Sequence, residues 1–148
     1  MQDISDIICF MFSFKKKPKI LKTGKVIIPV GHPNPPIPHE EDVAKLLAQH
    51  YETTVEFIMP IDDFKRKTPD IMMNGIAWEI KTPKGKSSST ISNQIRRASK
   101  QSCNLIIDSR STKLKYPEIE RRLRFGLSKS TSIKRVILID KSGKIVEI

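Results

Sequence analysis

The sequence predicts an α/β fold, a single domain with a central mixed β-sheet flanked by helices. Three observations lead there. Beyond Pro38, segments of helical periodicity alternate with short β-rich runs. Their order is helix, three strands, helix, strand, helix and two strands, which is neither all-helical nor a plain succession of hairpins. A chain of 148 residues, 38% of them hydrophobic, supports one modest core. That excludes both a multidomain machine and wholesale disorder.

Residues 1–38 read as a basic, Pro-rich N-terminal arm, partly disordered, and residues 39–148 as the α/β domain. Five of the ten prolines lie between Pro29 and Pro38, a run that fits neither helix nor central strand. Within the arm, Lys25 to Val30 can form a short strand, and Lys15-Lys16-Lys17 is a basic tail. Glu40, Glu41 and Asp42 place carboxylates in a first helical turn, and Val43, Leu46 and Leu47 give that helix its apolar face through His50. Thr53 to Met59 is a strand. Pro69 to Met73 and Ile76 to Lys81 are two more, joined by Asn74-Gly75, whose residues suit the positive φ of a type I′ turn. Ser89 or Thr90 caps a helix buried through Ile91, Ile95 and Ala98. Leu105 to Asp108 is a short apolar strand. Pro117 opens a helix carrying Ile119 and Leu123 and ending near Gly126. Arg135 to Asp140 and Lys144 to Ile148 close the domain as a hairpin.

The net charge is +11, and it is unevenly spread. Residues 1–39 carry +4, residues 40–63 carry −6 and residues 64–148 carry +13. A body this basic points to a polyanionic partner, nucleic acid before an acidic membrane. Two cysteines, Cys9 and Cys103, exclude a disulfide-rich scaffold and a four-cysteine zinc site. Cys103 reads as a packed thiol. No apolar run is long enough to span a bilayer. The lysines after Ile7 to Phe12 reverse the order of a secretory signal. The expectation is a protein of a reducing, cytoplasmic compartment.

Two acidic residues of the basic body stand apart. Asp70 opens the first arm of the Asn-Gly hairpin and Glu79 lies on the second, so the hairpin folds both to one level of the sheet. Glu79 and Lys81, two apart on a strand, point the same way. Two carboxylates and a lysine on adjacent strands are what metal-assisted phosphodiester hydrolysis needs. Asp and Glu oxygens bind Mg²⁺ or Mn²⁺, and the lysine orients water or stabilises developing charge. A third acid commonly completes such a set. Glu40 or Glu41 can supply it, with Glu41 preferred because Glu40 sits in the turn that leaves the arm. The expected metal ligands are therefore Glu41, Asp70 and Glu79.

The segment after Lys81 holds Lys84, Lys86 and Ser88, small and cationic residues suited to a phosphate backbone or to a flexible linker. On the next helix Asn93, Arg96 or Arg97, and Lys100 form one polar, basic face. These are the candidate nucleic-acid contacts.

The runs Lys67 to Asp70, Asn74-Gly75, Trp78 to Gly85, Arg96 to Ser102 and Asn104 to Asp108 carry a resemblance. Pro69-Asp70 with Glu79-Ile80-Lys81 resembles the PD-(D/E)-x-K phosphodiesterase superfamily. Residues 40–148, roughly three quarters of the chain, look like the tRNA-nuclease C-terminal domains of CdiA-type contact-dependent growth inhibition toxins. The resemblance implies a PD-(D/E)-x-K nuclease-like core and a metal-dependent endoribonuclease acting on tRNA. It assigns metal binding to Asp70, Glu79 and a helix glutamate at 40 or 41, and catalytic help to Lys81. Some superfamily members carry that lysine on a later helix, where Lys100 lies. An immunity or antitoxin-type protein is the implied partner, and the chain is delivered or encoded by a mobile element. The alternatives are a DNA endonuclease of the same fold and a non-catalytic nucleic-acid-binding or mobile-element interaction protein.

Overall fold

The computed structural model describes residues 24–61, 67–87, 89–130 and 132–148. Seven strands form one mixed sheet in chain order: β1 (Lys25–Ile27), β2 (Thr54–Phe57), β3 (Ile71–Met73), β4 (Ile76–Lys81), β5 (Asn104–Asp108), β6 (Arg135–Ile139) and β7 (Ile145–Glu147). The described helices are α1 (Pro38–His50), α2 (Thr90–Ala98) and α3 (Tyr116–Lys129). β1 runs parallel to β2, β2 to β4 form an antiparallel meander, β4 to β6 are parallel and β7 returns antiparallel. The α/β architecture read from the sequence is present. Lys25–Ile27 supplies the edge strand. The basic tail at residues 15–17 and Ser88 lie outside the described residues.

Strand alternation divides the core in two. Trp78, Ile80, Ile106 and Ile137 face Val43, Ala44 and Leu47 of α1. Leu105, Ile107, Val136 and Leu138 face Ile91 and Ile95 of α2 and Ile119 and Leu123 of α3. The β4–α2–β5 and β5–α3–β6 connections place both helices on one face, as two crossovers of the same hand must. The sheet is thus buried on both sides along β4 to β6, which explains the continuous apolar runs there.

The Asn74-Gly75 turn has positive φ at both residues, 52° and 76°. Ile71 pairs with Trp78 and Met73 with Ile76. Asp70 therefore falls opposite Glu79, and its N–H donates to the Trp78 carbonyl at 3.0 Å.

Two helix ends differ from expectation. α2 stops at Ala98, so Lys100 stands in the turn after the helix and not on its face. Ser102 and Asn104 cause this, because their side chains donate to the Ala77 carbonyl at 3.2 and 3.0 Å and draw the chain back to the sheet. α3 runs through Gly126 to Lys129. A Cβ at 126 would collide with Ile95 Cδ1, so this glycine lets α2 and α3 approach and does not end a helix. Cys103 is buried but is disulfide-bonded, not the free thiol expected. Among the described residues no helix is long and apolar enough to cross a membrane.

Candidate active site

Asp70, Glu79 and Lys81 converge, as the hairpin register requires. Lys81 Nζ donates to Glu79 Oε1 and also reaches Gln101 Oε1 at 3.4 Å. Asp70 Oδ2 accepts the Ile80 N–H at 2.7 Å. Glu79 is 1% exposed, which is rare for a carboxylate without full compensation. Its Oε2 is buried without a hydrogen-bond partner. Burial first, and then the negative charge of Asp70, push the Glu79 carboxyl up to about 8, against the opposing pull of Lys81. Asp70 is likewise raised by burial, tempered by the Ile80 N–H and by Lys81.

This has a consequence for the metal-free protein. Glu79 is neutral in both folded and unfolded chains below its ordinary value of 4.5, and burial then costs little. Between 4.5 and about 8 the unfolded chain ionises first, so folding loses stability as pH rises through that window. Thermal unfolding in EDTA should show a melting temperature that falls from pH 5 to pH 8. The full effect is on the order of a few kcal/mol. A flat profile would mean that Glu79 is not held neutral.

Of the two helix glutamates it is Glu40, and not the preferred Glu41, that lines the cleft beside Asp70. Glu40 shares a cleft of about 500 Å³ with Asp70 and Gln101, and its charge raises the Asp70 carboxyl. It also caps α1, since Glu40 Oε2 accepts the Ile37 N–H at 3.1 Å. Glu41, one residue further round the helix, instead lies 3.8 Å from Lys45.

Among the described residues no three His, Cys, Asp or Glu side chains are gathered into a ready metal cage. The donor set nonetheless suits Mg²⁺ or Mn²⁺. Mg²⁺ is commonly held by one or two carboxylates, with water and substrate phosphate completing its shell. Asp70 and the unpartnered Oε2 of Glu79 offer two hard oxygens whose mutual repulsion a divalent cation would relieve.

Beside this group lies a network with no sequence signature, because its members are distant along the chain. Asp108, fully buried at the end of β5, accepts Nε and Nη2 of Arg110 at 2.8 to 3.1 Å. Its Oδ2 also lies 3.0 Å from His39 Nε2, which is 2.8 Å from Thr82 Oγ1. Arg110 continues to Asp42 at 2.7 Å, and both carboxylates hold its guanidinium above its ordinary pKa. The network ties the start of α1, next to Glu40, to the residue that follows Lys81. Gln101, which the sequence offers only as part of a polar stripe with Gln94 and Arg97, reaches Lys81 at the site.

The remaining candidates are not part of this cluster. Lys84 and Lys86 are exposed on the segment after β4, and Asn93, Arg96 and Arg97 are exposed on α2. Lys100 is exposed, and Gln101, not Lys100, turns into the cleft.

Residues 67–145, which include Asp70, Glu79 and Lys81, match the model of the family described as the contact-dependent growth inhibition CdiA C-terminal domain. Among solved structures the chain is similar to the CdiA-CT/CdiI toxin and immunity complex from Burkholderia pseudomallei. The two are 22% identical with a TM-score of 0.60, over 84% of this chain and 98% of that one, a likeness of fold. No curated protein matches.

Proposed function

The chain belongs to the contact-dependent growth inhibition CdiA C-terminal domain family, and we propose that it is a toxin domain that acts as a metal-dependent endoribonuclease on tRNA. The observation that carries this reading is the buried Glu79 with the half-buried Asp70 and Lys81 against it, beside an open cleft lined by Asp70, in a chain of net charge +11. A merely basic binding module gains nothing from burying Glu79 against a second carboxylate, Asp70. The hairpin acids are read as the PD-(D/E)-x-K motif, with Asp70 and Glu79 as the metal ligands and Glu40 as the helix acid.

A bound Mg²⁺ or Mn²⁺ would polarise the scissile phosphate and lower the pKa of an attacking water. Lys81 holds a positive charge against that phosphate as negative charge develops on it. Gln101 Oε1 and Glu79 Oε1 fix the direction of its ammonium. Glu40, at the cleft, is placed to accept a proton from water. Lys84, Lys86, Arg96 and Arg97 hold the flanking phosphates. The similar structure is a toxin and immunity complex, which supports a neutralising protein partner for this chain as well.

Purified chain is expected to cut total tRNA in Mg²⁺ or Mn²⁺, to lose that activity in EDTA and to leave plasmid DNA intact. Cleavage that persists in EDTA would refute the carboxylate–metal reading. Cutting of the plasmid in place of tRNA would move the substrate to DNA.

A further inference from the structure

The Pro-rich arm does not simply precede the domain. His32 Nε2 donates to the Ile58 carbonyl at 3.0 Å, and the Ile37 N–H donates to Glu40 at 3.1 Å. Both ends of the segment 32–37 are thereby pinned, and it forms one wall of the cleft that contains Asp70 and Glu40. Ile61 stands with Lys67 and Thr68 on the same lining.

The chemistry of this cleft differs from the basic surface around it. Ile37 and Ile61 are 58% and 45% exposed and belong to neither core cluster. Exposed apolar residues gathered at the rim of a cleft mark a binding surface. Pro35 and Pro36 add flat, apolar ring faces. Asn34 carries both a donor and an acceptor, and Lys67 carries a positive charge. A cleft of about 500 Å³ is of a size that takes one small ligand, which admits a single nucleotide and not a duplex.

We infer that the cleft between residues 32–37 and residues 57–61 is a subsite for one unpaired nucleotide next to the scissile bond. Its base lies against Ile37, Ile61 and the proline rings, Asn34 meets the base edge, and Lys67 meets the phosphate. A base within a helix has both faces covered by its neighbours, so only an unstacked one can enter. Proteins that read single-stranded RNA rely on such splayed bases. The inference rests on the nuclease reading, whose Asp70 and Glu40 line the same cleft, and it restricts the substrate to loops, bulges and single-stranded ends.

The test separates the two ideas by measuring binding without cleavage. The full chain carrying Glu79→Gln is titrated with a short oligoribonucleotide, alone and annealed to its complement, in EDTA. The single strand should bind more tightly. Adding Ile37→Ser and Ile61→Ser, both at exposed positions, should weaken single-strand binding roughly five- to tenfold and leave duplex binding unchanged. Equal loss for both forms, or no preference before the change, would overturn the subsite. In the chain with its native Glu79, cleavage confined to unpaired positions supports it, and cleavage within paired stems would overturn it. Single-strand preference without any cleavage would leave the subsite standing and remove the nuclease reading. If the Ile variants lose only capture of a neutralising protein, the surface is a protein-docking face and the subsite falls.

Discussion

Glu79→Gln is expected to lower kcat/KM for RNA by at least about a thousandfold while making the metal-free chain more stable at pH 8. The two effects have one origin. Glu79 is buried with its carboxyl raised to about 8, so the fold tolerates it best when it is neutral. Glutamine has the same shape and no charge to bury, and it removes the repulsion with Asp70. It also removes one of two hard oxygens available to a cation, and losing one electrostatic contributor of this kind commonly costs a factor of 10² to 10³. Loss of the metal itself would add to that. Three measurements check the claim: single-turnover cleavage, thermal unfolding in EDTA at pH 8, and the shift in melting temperature on adding Mn²⁺. Native chain should gain stability with Mn²⁺, because an ion that binds only the folded state stabilises it. The variant should not. A variant that is less stable in EDTA and still gains from Mn²⁺ would show that Glu79 serves packing and not the metal.

The hairpin could be read because its information is local. Asn74-Gly75 sets the turn, and a period of two then fixes which residues face each other, so Asp70 and Glu79 follow. The choice between Glu40 and Glu41 was not local. Adjacent helix residues point about 100° apart, and only the packing of Val43, Ala44 and Leu47 against the sheet sets which one turns to the cleft. The end of α2 was invisible for the same kind of reason. Helical spacing continues through Lys100, but the side chains of Ser102 and Asn104 reach a carbonyl on β4, and that tertiary bond stops the helix. Gly126 carried a signal with two meanings, chain termination or close approach, and only Ile95 of the neighbouring helix decides between them. The arm looked like a tether because prolines remove it from helix and sheet. The bonds from His32 to Ile58 and from Ile37 to Glu40 make its Pro-rich part a wall of the cleft.

Asp108→Ala is expected to destabilise the chain by about 3 kcal/mol or more, and to impair cleavage although Asp108 is not among the acids proposed to bind the metal. Asp108 is fully buried and satisfies His39, Arg110 and the Arg110 N–H together. Removing it leaves a guanidinium and an imidazole without their shared acceptor, and breaking a buried pair from one side costs about 3–5 kcal/mol. Asp42 retains Arg110 from its other edge and limits the loss. For a chain of this length the change corresponds to a fall of roughly 10 °C in melting temperature. The catalytic effect follows from position: His39 adjoins Glu40 on α1, and Thr82, its other partner, adjoins Lys81 on β4. Loosening that tie lets the two sides of the cleft shift relative to one another, and small misplacements of catalytic groups are expensive. A cycle of Asp108→Ala, Arg110→Ala and the double variant, measured by thermal unfolding and by cleavage below the new melting temperature, tests both parts. Strongly non-additive stability losses with a matching fall in kcat identify a clamp that positions Glu40 against Lys81. A stability loss with unchanged kcat would reduce the network to structural support.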